Sequence, residues 1–144
     1  MKIYIGADHR GFYLKEMLKK FLKKLGHEVF DIGNLRYDEK DDYPDFGKKV
    51  AMQVVRNHAS RGIVICGSGA GVCIAANRIR KARAVLTHDI RIARLSRKDD
   101  DTNILCLGTD FLEPTQAKKI VQEWLLASFE KIPKRVRRIR KLDR

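Results

Sequence analysis

The chain has 144 residues, with 31 Lys and Arg against 18 Asp and Glu, a net charge of +13 and 44% hydrophobic residues. That length fits one domain with its own core, and no apolar stretch approaches the roughly 20 residues that a membrane helix needs. Cys66, Cys73 and Cys106 are widely spaced, with no Cys-x-x-Cys pair or histidine clip, which excludes a recognisable zinc motif and fits free thiols in a reducing compartment.

In chain order, MKIYIGADHRG carries one lysine before a short apolar run and reads as the mature start of a cytoplasmic protein. KIYIG (2–6) is a predicted buried strand. From Gly11 to Leu25 the apolar positions Phe12, Leu14, Met17, Leu18, Phe21, Leu22 and Leu25 recur at helical spacing until Gly26 stops them. HEVFDIG (27–33) is a second strand and the polar stretch NLRYDEKDDYPD (34–45) a loop or lid, from which Pro44 opens a helix to about His58. RGIVICG (61–67) is the third strand, GVCIAANRI (71–79) the third helix, ARAVLT (82–87) the fourth strand and HDIRIARLSR (88–97) a short helix. NILCLG (103–108) is a fifth strand and PTQAKKIVQEWLLASF (114–129) a strong helix. The tail VRRIRKL, apolar at 136, 139 and 142, is a last helix packed on its own domain or across onto a partner subunit.

Five short strands, each followed by a helical segment, predict a doubly wound α/β fold: one three-layer αβα (Rossmann-like) domain over 1–144 with a five-stranded parallel sheet and a basic C-terminal helix in 131–144. Ligands of such sheets bind beyond the carboxyl ends of the strands. The candidates there are Asp8 and His9 after the first strand, Cys66 to Gly71 after the third, His88 and Asp89 after the fourth, and Thr109 and Asp110 after the fifth.

The positive charge is unevenly placed. Eight of the fourteen residues from Lys131 to Arg144 are Lys or Arg against the single acid Asp143, while Lys15, Lys19, Lys20, Lys23 and Lys24 read as a solvated helix face. Aromatics are few and none is interleaved with the basic tail, which argues against nucleic acid and leaves phosphate chemistry open; a non-catalytic binding protein, of phosphorylated metabolites or of nucleic acid, is the alternative reading.

The strongest local signal is VICGSGAGVCIAANR (64–78). A strand, a tight glycine turn and a helix start present backbone amides and a positive dipole end to an anion. Gly67, Gly69 and Gly71 alternate, and Val72 stands where a dinucleotide fingerprint has glycine; no Lys-Ser or Lys-Thr follows, so the loop is not a phosphate-binding P-loop either. Cys66 is either a reactive thiol facing the helix amides or a small buried hydrophobe. Asp8 and His9 offer a carboxylate and an imidazole for proton transfer, or a helix cap and its first turn. Cys73 and Cys106 are packing residues, and His27 and His58 carry no assigned chemistry.

GADHRGFYLK (6–15), DYPDF (42–46), ICGSGAGVCIAANR (65–78), ARAVL (82–86), ARLSRKDDDTNILCLG (93–108) and the basic C-terminal helix resemble, in order and spacing, the ribose-5-phosphate isomerase B family, which includes allose- and galactose-6-phosphate isomerases. The resemblance implies an aldose–ketose isomerase of the pentose phosphate pathway that works through a cis-enediolate and needs no metal or other cofactor. It implies Cys66 as the base between C1 and C2, and Ser68 with the loop Gly67, Gly69, Ala70 and Gly71 as stabilisers of the enediolate oxygen. Asp8 would handle ring opening, His9 would contact substrate and phosphate, and Tyr43 would line the pocket. Homodimers or tetramers with shared sites are implied, with Arg137 and Lys134 or Arg135 gripping phosphate. Three departures from the family pattern stand out. Asp99 and Asp100 replace a His-Asn pair whose histidine assists ring opening, Asp110 replaces an arginine, and EKIPKR (130–135) replaces a Gly-Gly-Arg-His segment. Asp99 is then the expected proton-exchanging group and Asp100 a substrate contact.

Overall fold

Side chains alternate across the central strands and divide the core in two. In β1 (Lys2–Ala7), β3 (Arg61–Cys66) and β5 (Ile104–Gly108), Ile3, Ile5, Ile63, Ile65, Leu105 and Leu107 enter one cluster, and Tyr4, Val64, Cys66, Ile104 and Cys106 the other. The period of two in an extended chain requires this. The first face is covered by α1 (Phe12–Lys24), α4 (Ile90–Asp100) and α5 (Pro114–Leu126) through Leu14, Leu18, Leu22, Ala93, Ile120 and Trp124. The second is covered by α2 (Tyr43–Arg56) and α3 (Ala70–Asn77) through Val50, Val54, Val72 and Ala76. Each fully buried aliphatic side chain contributes about 1.5–3 kcal/mol. Trp124 is fully buried, and its indole N–H donates to Thr102 Oγ1 at 3.0 Å.

The edge strands β2 (Glu28–Asp31) and β4 (Ala84–Leu86) complete an all-parallel sheet of order β2-β1-β3-β5-β4. The computed structural model describes residues 1–144. It contains the expected αβα fold, with shorter edge strands than the sequence suggests: 28–31 rather than 27–33 and 84–86 rather than 82–87. Each edge strand pairs on one side only, so its ends leave the ladder early. The fourth helix is longer than predicted and takes in Asp99 and Asp100, ending at Asp101 in a left-handed cap with φ 46°. No helix is long and apolar enough to cross a membrane.

Topology creates a crevice. The chain leaves β1 into α1 on one face and leaves β3 into α3 on the other, so the carboxyl ends of these neighbouring strands diverge. Such a reversal is where open α/β sheets bind ligands.

The tail settles on its own domain. In α6 (Pro133–Leu142), Val136 and Ile139 are half-buried, Arg83 Nη1 donates to both Asp143 carboxylate oxygens at 3.1 and 3.0 Å, and Arg135 pairs with Asp99 at 2.5 Å. The expectation for Lys15 is corrected. Lys15 is not part of a solvated face: it is fully buried, with its Nζ 2.5 Å from Asp31 Oδ2 and 2.9 Å from Glu16 Oε1. The apolar spacing of α1 predicts which residues face the sheet but is silent about the half-buried Asp31 carboxylate on β2 that pairs with this cation.

Candidate active site

The crevice is built first from backbone. Cys66 ends β3 and is buried, and the Gly69 amide donates to its Sγ at 3.1 Å. A sulfur at this point accepts a hydrogen bond and faces the first turn of α3, whose leading amides have no partner within the helix. Gly69 has φ +78°, and a Cβ there would lie 2.5 Å from Leu86 Cδ1 and 2.9 Å from Gly108 N. Both the conformation and the space therefore call for glycine. Ser68 is exposed; its Oγ accepts from the Ala70 amide at 3.2 Å, which leaves the hydroxyl hydrogen free to donate into the crevice.

Two side chains lie against this loop. The Tyr43 ring, at the start of α2, packs over Gly71, and the Arg10 guanidinium over Gly67. Arg10 Nη2 donates to Asp110 Oδ2 at 2.6 Å, and the Asp110 amide donates to Gly67 O at 2.9 Å. Asp110 thus anchors an arginine supplied from position 10, beside the loop.

The β1 side supplies the titrating groups. Asp8 is buried, caps the turn His9–Gly11 by accepting from the Gly11 amide at 3.0 Å, and its own amide donates to Ile65 O on β3 at 3.2 Å. Burial raises its carboxyl above the ordinary range. Both readings of Asp8 thus coexist in one residue, a cap and a carboxyl poised for proton transfer. His9 Nδ1 donates to Asp41 Oδ1 at 2.7 Å, and the His9 amide donates to the same oxygen at 3.0 Å. The hydrogen bond to Asp41 raises the imidazole above its usual value and leaves Nε2 unengaged.

Asp41, Asn34, Lys15 and Arg10 are not among the candidate site residues that the sequence suggests. Asn34 Nδ2 donates to Asp41 Oδ2 at 2.7 Å, and Lys15 Nζ to Asn34 O at 3.0 Å, so a chain of bonds runs from the buried lysine through the 32–42 loop to His9. Asp41 was legible only as one of several acids in a polar loop. Asp8, His9 and Asp41 offer ligand atoms within 4.8 Å of one another, the one such cluster. These atoms are already engaged with one another and with backbone amides, and the trio forms a hydrogen-bonded pair beside a cap.

Asp99, Asp100, Lys134 and Arg137 are not part of this group within one chain. Because α4 starts beyond β4 and runs back along the sheet, its end lies at the amino-terminal edge, beside the entry to β5, and α6 joins it there. Strands of this length span roughly 17–20 Å, which separates the two edges. His88 is half-buried under Phe111, and Asp89 caps α4. Cys106 is buried in the α2–α3 face, and Cys73 is half-buried against it.

A family model for ribose/galactose isomerases matches residues 3–142. The chain is 44% identical over 128 residues to a probable ribose-5-phosphate isomerase B of Mycoplasma pneumoniae, covering 89% of this chain and 84% of that protein. It is 41% identical over 129 residues to ribose-5-phosphate isomerase B of Escherichia coli, covering 90% and 86%. Among solved structures, ribose-5-phosphate isomerase B from Mycoplasma genitalium with bound ribulose-5-phosphate superposes with a TM-score of 0.94 at 39% identity, over 99% of this chain and 93% of that one. The Clostridium thermocellum enzyme does so at 0.94 and 45%, over 99% and 95%.

Proposed function

Since the chain belongs to the ribose/galactose isomerase family, we propose that it is an aldose–ketose isomerase that interconverts ribose 5-phosphate and ribulose 5-phosphate. The observation that carries the reading is Cys66 Sγ at the carboxyl end of β3, held by the Gly69 amide at 3.1 Å in the crevice that Asp8 and His9 border. Cys66 takes the proton from C2 of the open-chain aldose and returns it to C1, so the reaction passes through an enediolate. Negative charge then grows on the substrate oxygen, and the Ser68 hydroxyl and the Gly71 amide supply donors for it, while the Gly69 and Ala70 amides hold Cys66 Sγ and Ser68 Oγ in place. Donors already in place need no reorganisation as the charge forms. Asp8, with its carboxyl raised by burial, exchanges a proton with the ring oxygen and hydroxyl during opening. His9 binds the substrate through Nε2, and Tyr43 closes one wall.

The remaining site residues come from a second copy of the chain in this reading. Lys134 and Arg137 are exposed on α6, and Asp99 and Asp100 end α4, at the far edge of the sheet from Cys66. A two-fold partner that presents its amino edge to this crevice brings phosphate-binding cations to the open side. Mixing two inactive variants tests it: Cys66→Ala and Arg137→Ala, refolded together, regain activity up to about a quarter of the wild-type sites if each site draws on both chains. Mixtures as inactive as their components defeat the shared site.

The reaction itself is tested by solvent exchange: deuterium enters C1 or C2 of the sugar phosphate with the wild type and not with Cys66→Ala. One observation favours a second reading, the same reaction on a hexose phosphate. Asp99, to which the resemblance gives the ring-opening role, is paired with Arg135 at 2.5 Å, so in this reading the far wall differs in charge from the family pattern. Comparing kcat/KM over pentose and hexose phosphates decides between them.

A further inference from the structure

At the amino-terminal edge of the sheet, under the end of α6, lies a cavity of about 340 Å³ framed by His58, Arg61, Lys81, Arg83, Asp101 and Asn103. Its volume is at the lower end of small-molecule sites, and its walls are mostly polar, which suits a compact anion better than an apolar ligand. The ion pairs around it leave charge over. Arg83 Nη2 donates to Asp101 Oδ2 at 2.9 Å and its Nη1 to Asp143, while Arg97 Nη1 takes Asp101 Oδ1 at 2.8 Å. Asp101 is thus shared by Arg83 and Arg97, and Asp143 is taken by Arg83. Arg61 and Lys81 make no ion pair, and the Arg61 side chain makes a single hydrogen bond, from Nη1 to Ser60 O at 2.7 Å.

We infer that this cavity is an anion site, separate from the Cys66 crevice, that takes a phosphate dianion, either inorganic or carried by a small phosphate monoester. Two uncompensated cations match the charge of about −1.5 to −2 that a phosphate monoester carries at neutral pH, and a guanidinium with free donors suits its oxygens. Burial and then Arg97 pull the Arg61 guanidinium below its ordinary range, Asp101 only partly offsetting them, a penalty that a bound anion relieves. The backbone is shaped for the same place. Lys81 and Asp101 are the chain's two non-glycine residues in the left-handed region, at φ 70° and 46°, and both frame the cavity. Each is held there by a neighbour in the wall: Asn103 Nδ2 donates to Lys81 O at 3.0 Å, and Arg83 Nε to Asp101 O at 2.9 Å. L-residues adopt this conformation at a cost, and such residues gather at binding sites.

The test is a titration of inorganic phosphate, and separately of ribose 5-phosphate, into ¹⁵N-labelled protein. The amides of Gly62, Arg83 and Asn103 report on this cavity, and those of Gly67 to Gly71 on the crevice. Saturable shifts at the first set with inorganic phosphate support the site and show that the free ion suffices; saturation with the sugar phosphate alone assigns it to the monoester. Arg61→Gln weakens that binding about tenfold or more and leaves isomerase turnover unchanged. Lys81→Gly removes the second cation while relaxing the left-handed residue, so it stays folded and also binds more weakly. Absence of saturable shifts at the first set, shifts confined to Gly67–Gly71, or affinity unchanged in both variants overturns the site. Turnover by Cys66→Ala bears on the proposed reaction alone, so the two ideas fail separately.

Discussion

The loop Cys66–Gly71 and the loop 32–42 border the same crevice, yet the first is shaped by backbone geometry and the second by charge. Around Cys66 the contacts are amide to sulfur, amide to hydroxyl and a glycine in a conformation that a side chain would strain. None of them needs a long side chain to hold one rotamer. Loop 32–42 has one regular anchor, Ile32 N to Ile5 O at 2.8 Å, one aromatic contact, Tyr37 against Phe12, Tyr13 and His9, and otherwise relies on Lys15, Asp31, Asn34 and Asp41. A site assembled this way has a rigid floor where charge develops and a wall whose position follows the ionisation of its residues. Acid and alkali should therefore loosen the wall before the floor.

The largest effect separates chemistry from scaffold. Cys66→Ala lowers kcat by about 10²–10⁴-fold, the usual contribution of a positioned base, while thermal unfolding changes little because only one small buried atom is lost. Full turnover in this variant would remove Cys66 from the mechanism and leave the glycine loop as an anion cradle alone.

Next comes the wall. Burial would raise Asp31, but the hydrogen bonds from Lys15 and Lys19 outweigh it and hold its carboxyl below the ordinary range. A depressed carboxyl contributes stability above about pH 4 that is lost as pH falls through its folded value. Lys15→Met keeps the aliphatic stem and deletes the charge. It should destabilise the protein by up to about 3 kcal/mol, short of a full buried-pair loss because Lys19 stays 2.6 Å from Asp31. Urea unfolding at pH 7 measures this, and the difference from wild type should shrink as the pH is lowered toward 3. Equal stability at pH 7 would mean that packing alone, not charge, holds the 32–42 loop.

The same contrast explains what the sequence disclosed. The glycine loop writes its geometry into composition, because φ +78° and the 2.5 Å approach at Gly69 select one residue type. Five strands with period-two cores and helices with 3.6-residue spacing are equally legible, so the fold and the crevice follow from pattern, which places Asp8, His9, Cys66 and Ser68 among several strand-end candidates; the family resemblance singles them out. A lysine on a helix has no such mark. Lys15 is buried only because Asp31 on β2 and Asn34 lie above it, a relation between three elements that no local window contains. Asp41 is similar: its side chain is 5% exposed, and it bonds a histidine 32 positions away. Nor does sequence spacing show that Asp99 and Arg137 end up at the opposite edge from Cys66, since that depends on the direction in which α4 runs.

The smallest expected effect tests the link between wall and substrate. Asp41 holds His9 with its Nδ1–H directed at the carboxylate, and that bond raises the imidazole above its ordinary value. The pair's contribution is complete below about pH 6.5 and is lost as pH rises through the raised value of the folded state. A phosphate gains its second charge near pH 6, so sugar-phosphate binding through His9 should be best in the window between that ionisation and the raised imidazole value. Asp41→Asn keeps the shape and a hydrogen-bond acceptor but removes the charge, so His9 should titrate closer to 6.5. KM should then rise by about two- to fivefold between about pH 6.5 and the raised imidazole value, the range of an exposed ion pair, with little change at pH 6 and with kcat nearly constant. An NMR titration of the His9 ring in both proteins supplies the second readout. If the ring titrates identically in the two, Asp41 orients the imidazole without setting its charge, and the wall acts by position alone.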